Sequence, residues 1–199
     1  MSDPSADSGR SEAEEAIMRA TYRALCEHGF ADLTMQAIAT EYGKTTAAIH
    51  YHYETKDDLV AAFLEYLLDK FVEHVHAVET TEPNERLEQL LDRLLTERED
   101  HRDLMVAMLE LRAQAPYNEQ WREQLRRNDA YVQYLLRTVV ADGVERGVFA
   151  DVDADHAARA LLTMIDGART RYVALGEADA LSEARRTARE YVDRVLRAE

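Results

Sequence analysis

Cysteine, glycine and proline are all scarce in this sequence. Cys26 is the single cysteine among 199 residues, which excludes an internal disulfide framework and favours a reducing compartment. Seven glycines and three prolines are too few for a collagen-like chain or a turn-rich all-β fold. No apolar run approaches the roughly 18 residues of a membrane span, and residues 1–11 lack the pattern of a secretory signal. We therefore expect a soluble, cytoplasmic protein without a membrane partner.

Basic residues are few relative to acidic ones. The chain holds 24 lysines and arginines against 39 aspartates and glutamates, a formal net charge of −15, and lysine occurs only at positions 44, 56 and 70. Dense carboxylates repel one another in dilute buffer, whereas molar salt screens them beyond roughly 3 Å. This composition predicts a halophilic protein, adapted to a salt-loaded cytoplasm. An ordinary acidic surface is the alternative interpretation.

Helical periodicity extends along almost the whole chain after residues 1–11, a polar and acidic segment that we expect to be a flexible arm. Apolar residues recur at three- and four-residue spacing, and no stretch alternates with period two for long enough to form a strand. Helix-capping residues and glycines fall between the periodic segments, as at Thr34, Gly43, Thr45 and Gly176. The pattern predicts an all-α fold with about nine helices.

Two short predicted helices meet near residue 43 in an arrangement typical of a helix-turn-helix. The first begins after Thr34 and ends at Gly43, and the second, about seven residues long, begins after Thr45. In this geometry the second helix enters the major groove of DNA, so its first residues must be small enough to approach the bases. Thr45, Thr46 and Ala47 meet that need, with hydroxyls for phosphates or base edges and methyls for thymine.

A polar and aromatic cluster follows the second short helix. His50, Tyr51 and His52 supply ring donors and Lys56 supplies a cation, at about the height of the phosphate backbone. Ile49 is expected to face inward and to pin the helix to the one before it. Residues 42–53 contain no acidic side chain, which favours contact with a polyanion. The segment is therefore our candidate DNA-binding surface.

The stretch GKTTAAIHYHYETKDDL at residues 43–59 resembles the DNA-binding motif of the tetracycline-repressor (TetR/AcrR) family. The predicted helix number and lengths agree with that family along the whole chain. The resemblance implies a helix-turn-helix DNA-binding domain at residues 12–55 and an effector-binding and dimerisation domain at residues 56–199. It also implies an operator-binding set that comprises Thr34, Lys44, Thr45, Thr46, Ala47, His50, Tyr51, His52 and Lys56.

The last two predicted helices carry apolar residues at helical spacing. Gly167 falls in the middle of one of them, where glycine costs roughly 1 kcal/mol relative to alanine, and a close helix-helix approach would justify it. Two such helices from each of two chains would form a four-helix interface, and the family resemblance favours this homodimer over burial within one chain. Such a dimer would bind a near-palindromic operator. The predicted interface comprises Ala157, Leu161, Met164, Gly167, Ala168, Tyr172, Ala184, Ala188, Tyr191 and Val195.

The resemblance further implies a pocket for a small-molecule effector among the central helices, coupled to the DNA-binding helices through the fourth helix. Plain core packing is the alternative for each apolar candidate. Arg112 is the sharpest polar candidate, although an arginine at such a place commonly pairs with a carboxylate such as Glu110. The candidate lining residues are Phe63, Tyr66, Leu94, Met105, Met108, Arg112, Trp121 and Tyr131.

Residue patterns for catalysis or metal binding are weak. His74 and His76 are two residues apart and so point to different sides of a helix, and Cys26 fits a small core position. There is no glycine-rich phosphate loop. We expect no enzymatic activity, no metal and no cofactor. The sequence thus predicts a DNA-binding transcriptional regulator, a repressor released from its operator by an effector, and the alternative is a helical protein-interaction module without DNA binding.

Overall fold

The computed structural model describes residues 10–76, 80–96 and 99–197, and within these ranges the side chains of residues 74–76 and 99–101 are not described. Most of the predicted arm and the side chains of His74 and His76 therefore lie outside the described part of the chain. The described residues form nine α-helices, as predicted: α1 (Glu12–His28), α2 (Met35–Tyr42), α3 (Thr46–His50), α4 (Lys56–His76), α5 (Pro83–Leu95), α6 (Glu99–Gln114), α7 (Glu119–Glu145), α8 (Ala154–Ala174) and α9 (Ala180–Tyr191).

The all-α prediction is confirmed, since the only β interaction in the described ranges is an isolated antiparallel bridge between Phe149 and Arg197. A short 3₁₀ turn, Ala115–Tyr117, joins α6 to α7, and a π-helical turn, Val192–Leu196, continues α9. None of the described helices is both long and apolar enough to cross a bilayer.

Side-chain caps explain where the long helices begin. At the start of α4 the Asp58 N–H donates to the Thr55 hydroxyl and the Thr55 N–H donates to the Asp58 carboxylate, each at 3.1 Å. The Thr55 hydroxyl also donates to the Asp58 carboxylate, and this bond is the main reason that the pKa of Asp58 is lowered. The arrangement is a reciprocal capping box. Asp153 caps α8 by accepting from the N–H groups of His156 and Asp155, and these bonds lower the pKa of Asp153.

The buried apolar side chains form two clusters that meet along α7. The first cluster joins α1–α4 to α6 and the N-terminal part of α7, and it includes Ile17, Leu33, Ile49, Phe63, Leu111 and Leu125. The second joins α5, the C-terminal part of α7, α8 and α9, and it includes Leu87, Leu136, Leu161, Ile165 and Leu181. The helix-turn-helix therefore shares one core with α4 and α6, and the packing is continuous across residues 55 and 56.

Candidate DNA-binding surface and effector cavity

Local hydrogen bonds hold α2 and α3 in a helix-turn-helix. The Thr34 hydroxyl accepts from the Ala37 N–H at 3.0 Å, and the Thr45 hydroxyl accepts from the Ala48 N–H at 3.3 Å. Between the helices Gly43 adopts the left-handed conformation, with φ of 70° and ψ of 23°, which glycine reaches without steric cost. The turn therefore depends on a capping threonine at the start of each helix and a glycine between them.

Buried side-chain packing on the inward face of α3 holds the helix in place. Ile49 is fully buried and belongs to the same cluster as Ile38 and Leu33, as expected from the sequence. The helix spans five residues rather than about seven, because the chain tightens into a turn at residues 51–52, where the His52 N–H donates to the Ile49 carbonyl. A helix this short is stabilised by tertiary contacts rather than by its own hydrogen bonds. The outward face is formed by Lys44, Thr45, Ala47 and His50, which are exposed, and Thr46, which is half-buried.

Ring and cationic groups border this outward face. Tyr51 is 86% exposed, so its ring and hydroxyl are available to a partner. His50 is also exposed, and its Nδ1 lies 3.1 Å from the carbonyl oxygen of Glu54. The Lys44 amine donates to the Tyr42 hydroxyl at 3.2 Å and remains on the surface. These groups can hydrogen-bond to a phosphate without repacking the core.

Two other members of the predicted operator-binding set turn toward the chain itself. The Lys56 amine donates to the Leu33 carbonyl at 3.0 Å and lies 4.9 Å from the centre of the Phe30 ring. Nδ1 of His52 lies 3.8 Å from a carboxylate oxygen of Glu14 in α1. In this conformation both side chains contact other parts of the same chain and hold the C-terminal end of the helix-turn-helix in place.

A junction of four residues (Phe30, Asp57, Glu110 and Trp121) connects the helix-turn-helix to α6 and α7. Glu110, expected as a partner for Arg112, instead accepts a hydrogen bond from the Phe30 N–H at 2.7 Å. The Trp121 ring meets the Phe30 ring edge-on at 5.2 Å, and its indole N–H donates to the Asp57 carbonyl at 3.1 Å. Trp121, a candidate for the effector pocket, thus lies at the junction. The role of Glu110 was not predicted from the sequence. A signal for it was nevertheless present, since Glu110 is an acidic residue between two leucines on a helix with an apolar face.

Part of the predicted effector pocket comes together around a cavity of about 380 Å³ between α5, α6 and α8, which we call the deep cavity. Its lining includes four of the eight candidates, Leu94, Met105, Met108 and Arg112. A wider outer cavity of about 920 Å³ adjoins it and is lined in part by Tyr66. Phe63 is buried with its ring stacked on Tyr66 at 6.3 Å, whereas Tyr131 lines a separate cavity of about 760 Å³ beside α7.

Charged side chains from three helices line or adjoin the deep cavity. Arg112 donates to the carboxylate of Asp129 at 2.9 Å, which raises its pKa, and lies 4.0 Å from Asp166. Burial raises the pKa of the Asp166 carboxyl. Arg169 donates through Nε and Nη2 to the Leu94 carbonyl at 3.1 and 2.8 Å, and burial lowers the pKa of its guanidinium. Asp166 and Arg169 are absent from the sequence-based candidates, because only the fold brings α8 beside α5 and α6.

The predicted dimer residues divide into two sets. Five are buried in the second core cluster of the chain itself, with at most 7% of their surface exposed: Ala157, Leu161, Ala168, Tyr172 and Ala188. Five are exposed or half-buried: Met164, Gly167, Ala184, Tyr191 and Val195. A Cβ added at Gly167 would meet nothing within 4 Å, so no contact in the described chain accounts for this mid-helix glycine.

Comparison with known proteins identifies the family. Residues 17–63 match the family model described as bacterial regulatory proteins of the tetR family, and residues 83–197 match the C-terminal model of the BetI-type transcriptional repressors. The chain belongs to the TetR family. This confirms the prediction of a DNA-binding transcriptional regulator with an N-terminal helix-turn-helix and a C-terminal helical domain, and not an enzyme.

Individual relatives span nearly the whole TetR-family chain. A TetR transcription regulator from Haloarcula marismortui ATCC 43049 is 57% identical, with a TM-score of 0.89 over 94% of this chain and 100% of its own. The HTH-type transcriptional regulator BetI of Stenotrophomonas maltophilia is 26% identical over 187 residues, 92% of this chain and 93% of that protein. A transcriptional regulator from Saccharomonospora viridis, crystallised in complex with choline, shares the fold at 24% identity, with a TM-score of 0.80 over 96% of this chain and 100% of its own.

Proposed function

We propose that this regulator acts in the cytoplasm as a two-fold homodimer, which binds a near-palindromic operator through α3 and leaves it when a small effector occupies the deep cavity. The observation that carries the DNA-binding part is the outward face of α3, which is exposed, small in side chain and free of acids over residues 42–53. The buried Ile49 on the opposite side holds that face outward.

The geometry supports different roles in DNA binding for the residues in and around α3. Thr45, Thr46 and Ala47 are short enough to let the helix approach base edges in a major groove. Tyr51 and His50 are placed to donate to phosphates on one side, and the exposed Thr34 lies at the start of α2. In this proposal Lys56 and His52 position the helix-turn-helix, because their polar atoms face the chain.

A binding assay with matched tyrosine variants tests operator recognition. DNA from the region upstream of the protein's own gene is titrated in a gel-shift assay in high-KCl buffer. Tyr51→Ala and Thr46→Ala should each weaken binding roughly fivefold to a hundredfold, since one lost base or phosphate contact costs about 1–3 kcal/mol. Tyr117→Ala is the control, because Tyr117 is 87% exposed and Tyr51 86%, while Tyr117 lies between α6 and α7.

The outcome separates two functions. Equal affinity of all three variants and the parent protein would show that α3 does not contact DNA. Failure of the parent protein to bind any upstream fragment would favour a protein-interaction module instead.

The proposed dimer uses the exposed side of α8. Thr163, Gly167, Thr170 and Ala174 are exposed at three- and four-residue intervals, so small side chains follow one face of the helix. Such a face lets two helix backbones approach closely, and this would account for the cost of Gly167. The half-buried Met164, Ala184 and Tyr191 add apolar surface on α8 and α9.

Release by an effector would act through α6. This helix places Met105, Met108 and Arg112 at the deep cavity and Glu110 at the junction with the helix-turn-helix. A ligand that fits one position of α6 better than another shifts the population toward that position. Because Glu110 is bonded to the backbone of Phe30, a shift of α6 moves the DNA-binding helices relative to the dimer.

We also propose that the acidic surface adapts the protein to molar salt. The net charge of −15 arises from acids distributed over most of the helices, and many of them face solvent. Mutual repulsion of these carboxylates weakens the folded state at low ionic strength and is screened by salt.

A further inference from the structure

The deep and outer cavities adjoin each other, and the combined site has a strongly cationic wall. They share four lining residues, Arg93, Thr96, Leu104 and Arg169. The deep cavity adds Arg112 and a single described acid, Asp166. The outer cavity adds Arg19, Arg23 and Lys70. Six cations thus line this site in a chain that carries an excess of 15 negative charges.

Most of these cations form salt bridges with described carboxylates, but Arg169 does not. Arg23 lies 2.8 Å from Glu41, and Lys70 lies 3.2 Å from Glu15. Arg169 forms no salt bridge with a described residue; it donates twice to the neutral Leu94 carbonyl, and Asp166 and Asp129 act on it only through longer-range attraction. A guanidinium that is removed from water without a directly bonded carboxylate is costly, and an anion that reached it would offset that cost.

We propose that the effector is an anionic amphiphile, with an acidic head group bound at the wall formed by Arg93 and Arg169 and an apolar body packed in the deep cavity. The apolar body would contact Leu94, Met105 and Met108, which line that cavity. A volume of about 380 Å³ suits a small ligand or the leading part of a longer one. This inference rests on the proposed release by an effector and adds the chemical class of the ligand.

The same wall disfavours a quaternary ammonium ligand such as the choline bound by the Saccharomonospora viridis protein. Quaternary ammonium groups bind on the faces of aromatic rings. No aromatic ring is among the described lining residues of the deep cavity, where the apolar body is placed. The outer cavity is lined by Tyr22, Tyr66 and Phe71, and the Tyr66 ring is already approached by Lys70 at 5.4 Å and Arg10 at 5.8 Å. The acid that could attract a cation, Asp166, lies 4.0 Å from the Arg112 guanidinium.

Titration calorimetry with three probes of equal chain length tests the proposal on the full-length protein. The probes are octanoate, octanol and octyltrimethylammonium, which share an eight-carbon chain and carry an anionic, a neutral and a cationic head group, and choline is added as a fourth. We expect octanoate to bind at least tenfold more tightly than each of the other three. Equal affinities, a preference for either ammonium compound, or no binding of octanoate at about 1 mM would overturn the proposal.

Two arginine variants locate the head group. Arg169→Met and Arg93→Gln should each weaken octanoate binding at least fivefold, and Arg159→Gln, an exposed position on the same helix as Arg169, should leave it unchanged. Arg93 is exposed, so its variant keeps the test valid if Arg169→Met does not fold. Octanoate binding that is unaffected in both folded variants contradicts the proposal.

Calorimetry requires no DNA, so this result is independent of operator recognition. Loss of the octanoate preference in a protein that still binds its operator overturns only the ligand class. A protein that prefers octanoate but binds no upstream DNA retains the ligand class and overturns the proposed function.

Discussion

Gly143 and Gly167 both lie inside helices, yet their surroundings are opposite. A Cβ at Gly143 in α7 would overlap the ring of Phe149, and the Gly143 carbonyl accepts hydrogen bonds from the N–H groups of Val148 and Phe149 at 2.8 and 2.9 Å. A Cβ at Gly167 in α8 would meet nothing within 4 Å. The first glycine is therefore required by the packing of one chain, whereas no contact within the described chain requires the second.

The two alanine variants should behave differently. Gly143→Ala should lower the free energy of unfolding by about 1–3 kcal/mol, since the added methyl overpacks the core against Phe149. Gly167→Ala should keep or raise the stability of the monomer by up to about 1 kcal/mol, because alanine is the better helix former. It should also weaken the dimer, as measured by sedimentation. A Gly167→Ala protein with an unchanged dimer dissociation constant would exclude Gly167 from the interface.

At the scale of one element, α6 contacts both the deep cavity and the loop that precedes the helix-turn-helix. Its Met105, Met108 and Arg112 line the deep cavity, and its Glu110 accepts the Phe30 N–H near the start of the α1–α2 connection. A rigid helix with a ligand on one side and a hydrogen-bonded loop on another transmits any displacement between them. In the proposed release by an effector, the coupling would therefore run through α6 in addition to α4, the helix that the family resemblance implied.

Glu110→Ala tests this coupling. The variant should accelerate amide hydrogen exchange at Phe30 and lower the free energy of unfolding by about 1.5–3 kcal/mol, because a charge-assisted hydrogen bond at a partly buried site is lost. It should also reduce the effect of a bound effector on operator affinity. Glu145→Ala, an exposed acid on α7, is the control. Unchanged exchange at Phe30 would show that the contact is absent in solution.

At the scale of the whole molecule, the excess of negative charge is expected to govern how the stability of the fold depends on salt. The chain carries 39 acidic residues, and many of its arginines are engaged in local ion pairs, such as Arg112 with Asp129 and Arg146 with Glu82. Exposed pairs of this kind contribute little to stability, whereas the summed repulsion of unpaired carboxylates acts over the whole surface. Ionic strength should therefore alter the stability of the fold as a unit.

The thermal midpoint should rise between dilute buffer and molar KCl. Salt screens carboxylate repulsion, so the folded state gains more than the expanded unfolded state. A variant in which the exposed acids Glu145, Asp151 and Glu183 become their amides should gain less from KCl. Circular dichroism at increasing KCl gives the midpoints. A midpoint that stays level or falls would favour the interpretation of an ordinary acidic surface.

Much of the fold and the core of the candidate DNA-binding site followed from the sequence. Capping at Thr34 and Thr45, the glycine turn at Gly43 and the inward direction of Ile49 depend on residues within four positions of one another. Such short-range hydrogen bonds and helical periodicity are written directly in the order of the residues.

The directions in which longer side chains point, and the residues that they contact, could not be predicted from the sequence in the same way. Trp121 lies against Phe30 rather than at a cavity, Lys56 donates to the Leu33 carbonyl, and half of the predicted dimer residues are buried in their own chain. A helical pattern shows that one face is covered, but several neighbours could cover it.

By itself, then, the order of the residues determined the helices, the caps that begin α2 and α3, and the family to which the chain belongs. Tertiary structure alone decided that Glu110 holds Phe30, 80 positions away, and that Arg169 faces a cavity with α5 and α6. The physical reason is the separation in sequence between the residues that interact. Caps and turns are set by bonds between near neighbours in sequence, whereas cavities and junctions arise only when packing brings distant helices together.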